Sequence, residues 1–285
     1  MGADGQGRRT ARGCGPRVGS RLGLTLELLG AGREAEVFAW EEGRVLRLAR
    51  DADGVDDVER EALALTVAHR AGVPVPAPYD QVTVRGRPGL VMGRVDGEDL
   101  LTELGRRPWS VWSIAKTLGR QHAELHAVEA PNALAPLRER LRRRLSSELV
   151  PDDIRGDALA RLARLPDGDR LCHGDFHPGN LLRTENGYAV IDWTTSARGH
   201  PSADVARTLL LLGMGEVPPE APAAVRWLAR VGRPVLRLGY LRAYGRRLLL
   251  DKELVAGWKP ICVAVRLAEG IEAERAALLA LARAA

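Results

Sequence analysis

Lysine is almost missing from this chain. Of its 285 residues 42 are Lys or Arg, yet the lysines are only Lys116, Lys252 and Lys259, so positive charge rests on arginine. Cysteine is scarce as well. Cys14, Cys172 and Cys262 are scattered and odd in number, which excludes a disulfide framework and a cysteine-based metal site and predicts a reducing, cytoplasmic setting. Aromatic residues make up 4% of the chain, too few for a base-stacking platform. With basic residues spread along the sequence, the net charge of +5 therefore predicts no nucleic-acid partner. No apolar run approaches the roughly 20 residues that span a bilayer, so no membrane partner is expected. Arg8-Arg9 could open a twin-arginine signal, but Leu22 to Leu29 is short and broken by Glu27.

What the chain does have is a dense cluster of chemistry in one stretch, Leu171-Cys172-His173-Gly174-Asp175-Phe176-His177-Pro178-Gly179-Asn180, followed by Val190-Ile191-Asp192-Trp193. An apolar strand end delivers His173, and a turn carries Asp175. Asn180 follows after four residues. Leu181 to Thr184 and Tyr188 to Ile191 flank Asn186-Gly187, a dipeptide suited to the positive-φ turn of a tight hairpin, which would return Asp192 beside Asn180. The Asp-x-x-x-x-Asn spacing with a later Asp matches the phosphoryl-transfer arrangement. There one Asp takes the hydroxyl proton, while the Asn and the second Asp hold magnesium. Magnesium favours oxygen ligands in octahedral array and shares few of them with protein, so Asn180 and Asp192 supply suitable chemistry while Asp175 stays free to orient a hydroxyl.

The remaining chain divides by pattern. Residues 1–19 are rich in Gly and Arg without apolar periodicity and are expected to be a disordered tail. Residues 24–29, 36–40 and 44–49 read as three antiparallel strands, the first two joined by a turn containing Gly30 and Gly32. Glycines there would let backbone amides approach an anion closely. A helix is expected over 55–70, stopping at Gly72, and residues 73–78 must be extended because each proline disfavours helix in its predecessor. Gln81 to Arg85 and Leu90 to Met92 suggest a hairpin around residues 86–89. From about Ser110 the chain reads as helical, with two arginine-rich helices within 136–165 and a further helix beginning near Pro201. Arg138, Arg140, Arg142, Arg143 and Arg144 form the densest basic run, expected to be a solvated helix face. His122 and His126, four apart, are expected to pack or hydrogen-bond rather than hold zinc, since no third ligand is evident. Asp204 is read either as a helix N-terminal carboxylate or as a brace for the Asp175 loop. Leu267, Ile271, Leu278 and Leu281 are expected in the core.

The His173–Asn180 loop, Ile191-Asp192-Trp193 and the downstream Asp204 resemble the aminoglycoside phosphotransferase and choline kinase superfamily. The resemblance implies an α+β, protein-kinase-like fold of two lobes. Residues 20–95 would form a sheet-rich nucleotide-binding lobe, with a hinge near 92–97. Residues 96–285 would form a helical catalytic and substrate lobe. It implies Asp175 as catalytic base, Asn180 and Asp192 as Mg2+ ligands, and ATP (GTP as alternative) held by Gly30, Gly32, Arg47, Glu61 and Met92. The partners implied are that nucleotide and a small hydroxyl-bearing acceptor, the protein acting as monomer or homodimer. The leading function is thus a metabolite or sugar-like kinase, with an aminoglycoside-modifying kinase and a nucleotide-binding pseudokinase as alternatives. Two positions depart from the family pattern. Arg47 stands where lysine is usual, and His200 stands where an acidic residue commonly precedes the proline. Arginine keeps its charge and grips phosphate bidentately, so Arg47 is expected to pair with Glu61 and to retain activity.

Overall fold

The computed structural model describes residues 26–32, 34–214 and 223–284. The expected tail over 1–19, and the start of the first expected strand, lie outside the described residues. The first lobe is a five-stranded antiparallel sheet in the order β1-β2-β3-β5-β4. Its strands are β1 (Leu28–Ala31), β2 (Ala35–Ala39), β3 (Arg44–Ala49), β4 (Pro78–Val84) and β5 (Arg87–Gly93), with helix α1 (Val55–Arg70) between β3 and β4. Burial of Val58, Ala62 and Leu65 on one stripe of α1 packs it against the sheet through Val45, Leu90 and Met92. Each such fully buried aliphatic side chain contributes roughly 1.5–3 kcal/mol relative to exposure.

Two turns fall elsewhere than expected. Gly30 sits inside β1, so the β1–β2 turn is narrower than the sequence suggested. The β4–β5 hairpin turns at Arg85-Gly86, both with positive φ (53° and 78°), rather than over 86–89. A two-residue turn of that hand matches the twist of the flanking strands, and this decides the register. Arg87 and Pro88 are consequently strand residues.

After residues 94–97 come β6 (Glu98–Asp99), α2 (Leu100–Arg106), α3 (Val111–His126), α4 (Leu137–Leu145), α5 (Asp152–Arg164) and β7 (Arg170–Cys172). Then follow β8 (Leu181–Thr184), β9 (Gly187–Val190), β10 (Ala197–Gly199), α6 (Pro201–Gly213), α7 (Ala223–Gly245), α8 (Lys252–Leu267) and α9 (Glu272–Arg283). Strand β6 pairs with β8, and β10 with β7; neither pairing was visible in the sequence. The β8–β9 turn is Glu185-Asn186, one residue earlier than expected, and only Gly187 carries the positive φ. Helices α3 and α7 approach unusually closely. A Cβ at Gly119 would lie 2.3 Å from the Tyr240 carbonyl oxygen, and one at Gly239 would lie 2.6 Å from Ala115 Cβ. These two glycines set the spacing at which His122 and His126 on α3 meet Tyr240 and Tyr244 on α7. Leu267 and Leu278 are buried as expected, but Leu281 is 37% exposed and Ile271 only half-buried at the mouth of α9.

Candidate active site

Strand β7 leads into the fully buried His173, and the chain reverses at Gly174, whose φ of +80° suits glycine. A Cβ there would stand 2.5 Å from the Thr195 carbonyl oxygen, so no other residue fits. His173 Nδ1 accepts the Asp175 amide (3.3 Å) while Nε2 donates to the Ile191 carbonyl (3.0 Å), which fixes its tautomer. Burial lowers its pKa despite the nearby carboxylates, so the ring is neutral. The loop is thereby tied at both ends.

Beneath it lies Asp204, read in the sequence as either cap or brace; its contacts show the brace. Oδ2 accepts the His173 amide at 2.5 Å and Oδ1 the Gly174 amide at 2.9 Å. His122 Nε2 and His126 Nε2 also donate to Oδ2, each at 3.2 Å, and Tyr240 and Tyr244 hydroxyls donate to the two Nδ1 atoms at 2.8 Å. Burial would raise the Asp204 pKa, but the two histidines outweigh it and hold the carboxyl well below its ordinary value. Burial, with the neighbouring His126, drives His122 down to about 3. The ligand atoms of His122, His126 and Asp204 lie within 4.8 Å of one another, a spacing that could suit a metal. Each is already committed to these hydrogen bonds, which favours the hydrogen-bonded reading of the histidines.

Asp175 follows the turn. Its Oδ2 lies 3.3 Å from Asn180 Nδ2 and 3.5 Å from His177 Nε2, and its Oδ1 lies 3.4 Å from Arg207 Nη2. His177 Nδ1 accepts the Gly179 amide (3.0 Å), so its Nε2 carries the proton and faces the carboxylate. Burial raises the Asp175 pKa, but the His177 hydrogen bond and the Arg207 charge overcome it and leave the carboxyl well below its usual range. Asp175 is therefore ionised at any working pH.

Asn180 spends its amide nitrogen on Asp175 (2.9 Å to the backbone oxygen), which leaves Oδ1 as the available ligand atom. The β8–β9 ladder continues for one more bond, Ile191 N–H to the Asn180 carbonyl at 3.0 Å, and so seats Asp192 next to Asn180. Asp192 adopts φ +60°, a strained conformation for a residue with a side chain. The conformation is held by Thr194 Oγ1 donating to Oδ1 (2.7 Å) and by the buried Trp193, whose Nε1 donates to the Val190 carbonyl (3.1 Å). One amide oxygen and one carboxylate, both hard donors, are an appropriate set for Mg2+.

A cleft of about 970 Å³ separates the sheet from these loops. Asp175, Asn180, Asp192, Arg47, Glu61, Met92 and Gly32 all line it; Gly30, inside β1, does not. Arg47 Nη1 lies 2.8 Å from Glu61 Oε2, close as an ion pair though not aligned as a hydrogen bond. Burial dominates Glu61 and raises its pKa to about 7 against the opposing pull of Arg47.

The sequence pattern of the phosphotransferase enzyme family matches residues 25–257. The chain belongs to that family. Solved structures agree in fold. An aminoglycoside-3'-phosphotransferase of type VIII is 21% identical with a TM-score of 0.59, over 83% of this chain and 92% of that one. The amicoumacin kinase hAmiN, solved with AMP-PNP, Ca2+ and Ami, is 17% identical with a TM-score of 0.64, over 90% and 86%. Aminoglycoside phosphotransferase APH(3'')-Id from Streptomyces rimosus, solved with ADP and streptomycin, is 18% identical with a TM-score of 0.55, over 84% and 92%. The protein is thus a phosphotransferase with a two-lobed α+β, kinase-like fold.

In this phosphotransferase one residue reaches the site that the sequence did not single out. Arg207 meets Glu269, 62 positions away, at 2.5 Å beside Asp175. Arg207 lies one turn beyond Asp204 on α6, and that spacing was the only sequence signal for it. The basic run on α4 is not the solvated face expected. Arg142 and Arg143 are exposed, but Arg138 pairs with Asp167 and the carbonyls of Leu162 and Leu165. Arg140 bonds the Ser196 carbonyl (2.9 Å) and lies 3.4 Å from that of Thr194.

The Glu61 environment has a consequence for pH. Between the unfolded value of 4.5 and the folded value of about 7, the folded chain keeps a proton that the unfolded chain has released, so this group's contribution to stability falls as pH rises. Glu61→Gln mimics the protonated form and removes that slope. Relative to wild type, the variant is expected to gain about 2–3 kcal/mol between roughly pH 5 and pH 8, read by calorimetric unfolding at the two pH values. A difference independent of pH would refute a raised Glu61 pKa.

Proposed function

We propose that this phosphotransferase is a Mg2+- and ATP-dependent kinase for a small hydroxyl-bearing molecule. The nucleotide would lie between the sheet lobe (residues 20–95) and the helical lobe (residues 96–285), with Gly32, Arg47 and Met92 against it. One observation carries the reading. Asn180 spends its amide nitrogen on the base-side Asp175, so that its oxygen and the Asp192 carboxylate are left for a metal beside an ionised Asp175. Bound Mg2+ would neutralise charge on the nucleotide phosphates.

The chain's own residues do the rest. Asp175 accepts a hydrogen bond from the acceptor hydroxyl and aligns its oxygen on the γ-phosphorus; the P–O bond to ADP breaks as the new P–O bond forms, and the hydroxyl proton passes to Asp175. A low pKa suits this role, since in a loose transfer the hydroxyl loses its proton late and alignment does most of the catalysis. Arg47, anchored by Glu61, grips phosphate oxygens. Arg47→Met is expected to lower kcat/KM for ATP about tenfold or more, a charge-assisted contact being lost. The same titrations with GTP decide between the two nucleotides.

The test is equilibrium binding of ATP with and without Mg2+. Wild type should bind more tightly with the ion, and Asp192→Ala should lose that enhancement while retaining metal-free binding. Equal metal dependence in both proteins would remove Asp192 as a ligand.

A further inference from the structure

Beside the catalytic loop, between α4, α6 and α8, lies a small cavity of about 60 Å³. It adjoins the large cleft, for Arg144, Thr195, Arg207 and Glu269 line both. Three arginines converge on it, Arg140 and Arg144 one turn apart on α4 and Arg207 on α6; the two carboxylates that also line it are already engaged, Asp204 by the His173 and Gly174 amides and Glu269 by Arg207. Among the described residues their carboxylate partners are few. Arg140 bonds backbone carbonyls and pairs with no carboxylate. Arg144 has only Glu34, loosely, at 3.8 Å. Arg207 is 8% exposed; its Nη2 serves Glu269 and Asp175, but its Nη1 is buried without any hydrogen-bond partner. A buried, unpartnered guanidinium nitrogen costs free energy that an anion would recover. Burial, with Arg60 and Arg144 nearby, also lowers the Arg140 pKa to about 9, a field that an anion would relieve.

The carboxylates of α8 and α9 offer a polycationic acceptor little within the cleft. Of Asp251, Glu253, Glu269, Glu272 and Glu274, only Glu269 lines the cleft, and it is clamped at 2.5 Å by both Arg207 and Arg266. Glu274 forks onto Arg266, and Asp251 caps α8.

We infer that the acceptor is a hydroxyl-bearing anion whose carboxylate or phosphate enters the cavity formed by Arg140, Arg144 and Arg207 while its hydroxyl meets Asp175. This rests on the kinase reading above. Arg207, touching both Asp175 and the cavity, holds the two ends of the acceptor in register. Transfer would then give ADP and a phosphorylated anion, with the same bond made and broken as in any such kinase.

The experiment has two arms on the full chain. In the first, inorganic phosphate is titrated calorimetrically into protein saturated with Mg2+ and AMP-PNP, using wild type, Arg144→Gln and Arg144→Lys. Saturable binding is expected, weakened about tenfold or more in Arg144→Gln and partly restored in Arg144→Lys. Absence of saturable binding, or equal affinity in all three proteins, overturns the anion site. In the second arm, ADP release is measured with separate pools of hydroxy acids, sugar phosphates, neutral polyols and aminoglycosides. Stimulation by either anionic pool is expected, with KM for that acceptor raised about tenfold in Arg144→Gln and KM for ATP unchanged; the responding pool distinguishes carboxylate from phosphate. Stimulation by the neutral or cationic pool alone overturns the inference and leaves the kinase reading intact. Phosphate binding that depends on Arg144, without ATP binding, leaves the anion site and removes the kinase reading.

Discussion

Asp175→Asn is expected to lower phosphoryl transfer by roughly 10²–10⁴-fold while leaving ATP affinity within a few-fold of wild type. The side chain keeps its size and one acceptor oxygen, so the fold and the cleft survive. What is lost is the ionised oxygen that receives the hydroxyl proton. The amide also places N–H groups against Asn180 Nδ2, His177 Nε2 or Arg207 Nη2, all donors that now point at the carboxylate. Because His177 and Arg207 overcome the effect of burial and leave Asp175 ionised far below neutrality, the wild-type rate should show no ionisation of this group at mildly acid pH. A single-turnover rate in Asp175→Asn within a few-fold of wild type would show that another group takes the proton.

The second large effect falls on a residue that touches no substrate. Asp204→Ala is expected to destabilise the protein by about 3–5 kcal/mol, the range for removing one partner of a buried charged network. Four donors lose their acceptor: the amides of His173 and Gly174 and the Nε2–H groups of His122 and His126. For a chain of this size that corresponds to a fall in Tm of about 5–8 °C. Asp204→Asn should fare little better, since its NH2 must face donors. Transfer should fall as well, because the two freed amides belong to the residues immediately before Asp175. A Tm change under about 2 °C in Asp204→Ala, read by thermal unfolding, would mean that Gly119 and Gly239 packing alone holds the loop.

The stretch around Asp175, Asn180 and Asp192 was legible because its order is local: a strand end, a turn, a short hairpin, each written within a few residues. Helices α1, α3 and α6 followed from stripes such as Val58, Ala62 and Leu65. The turns were misplaced by one or two residues because several small or polar residues were compatible with each, and strand register chose among them; Arg85 and Glu185 became turn residues that way. Pairings across distant sequence could not be read. Nothing in the spacing of Glu98 and Arg183, or of Leu171 and Arg198, indicates that they are strand partners. The same limit hid the acceptor side. Arg140, Arg207 and Glu269 become neighbours of one cavity only through the packing of α4, α6 and α8, whose helical periodicity says which face is apolar but not what meets it.

The most direct measurement supplies ATP, Mg2+ and pooled hydroxyl compounds to the wild-type protein and to Asp192→Ala, with ADP and phosphorylated products quantified together by mass spectrometry. The expected result is Mg2+-dependent ADP formation by wild type, matched mole for mole by a phosphorylated acceptor, and loss of both products in Asp192→Ala. Transfer that proceeds equally in Asp192→Ala, or ATP consumption without any phosphorylated acceptor, would contradict a metal-assisted kinase built on Asp175, Asn180 and Asp192.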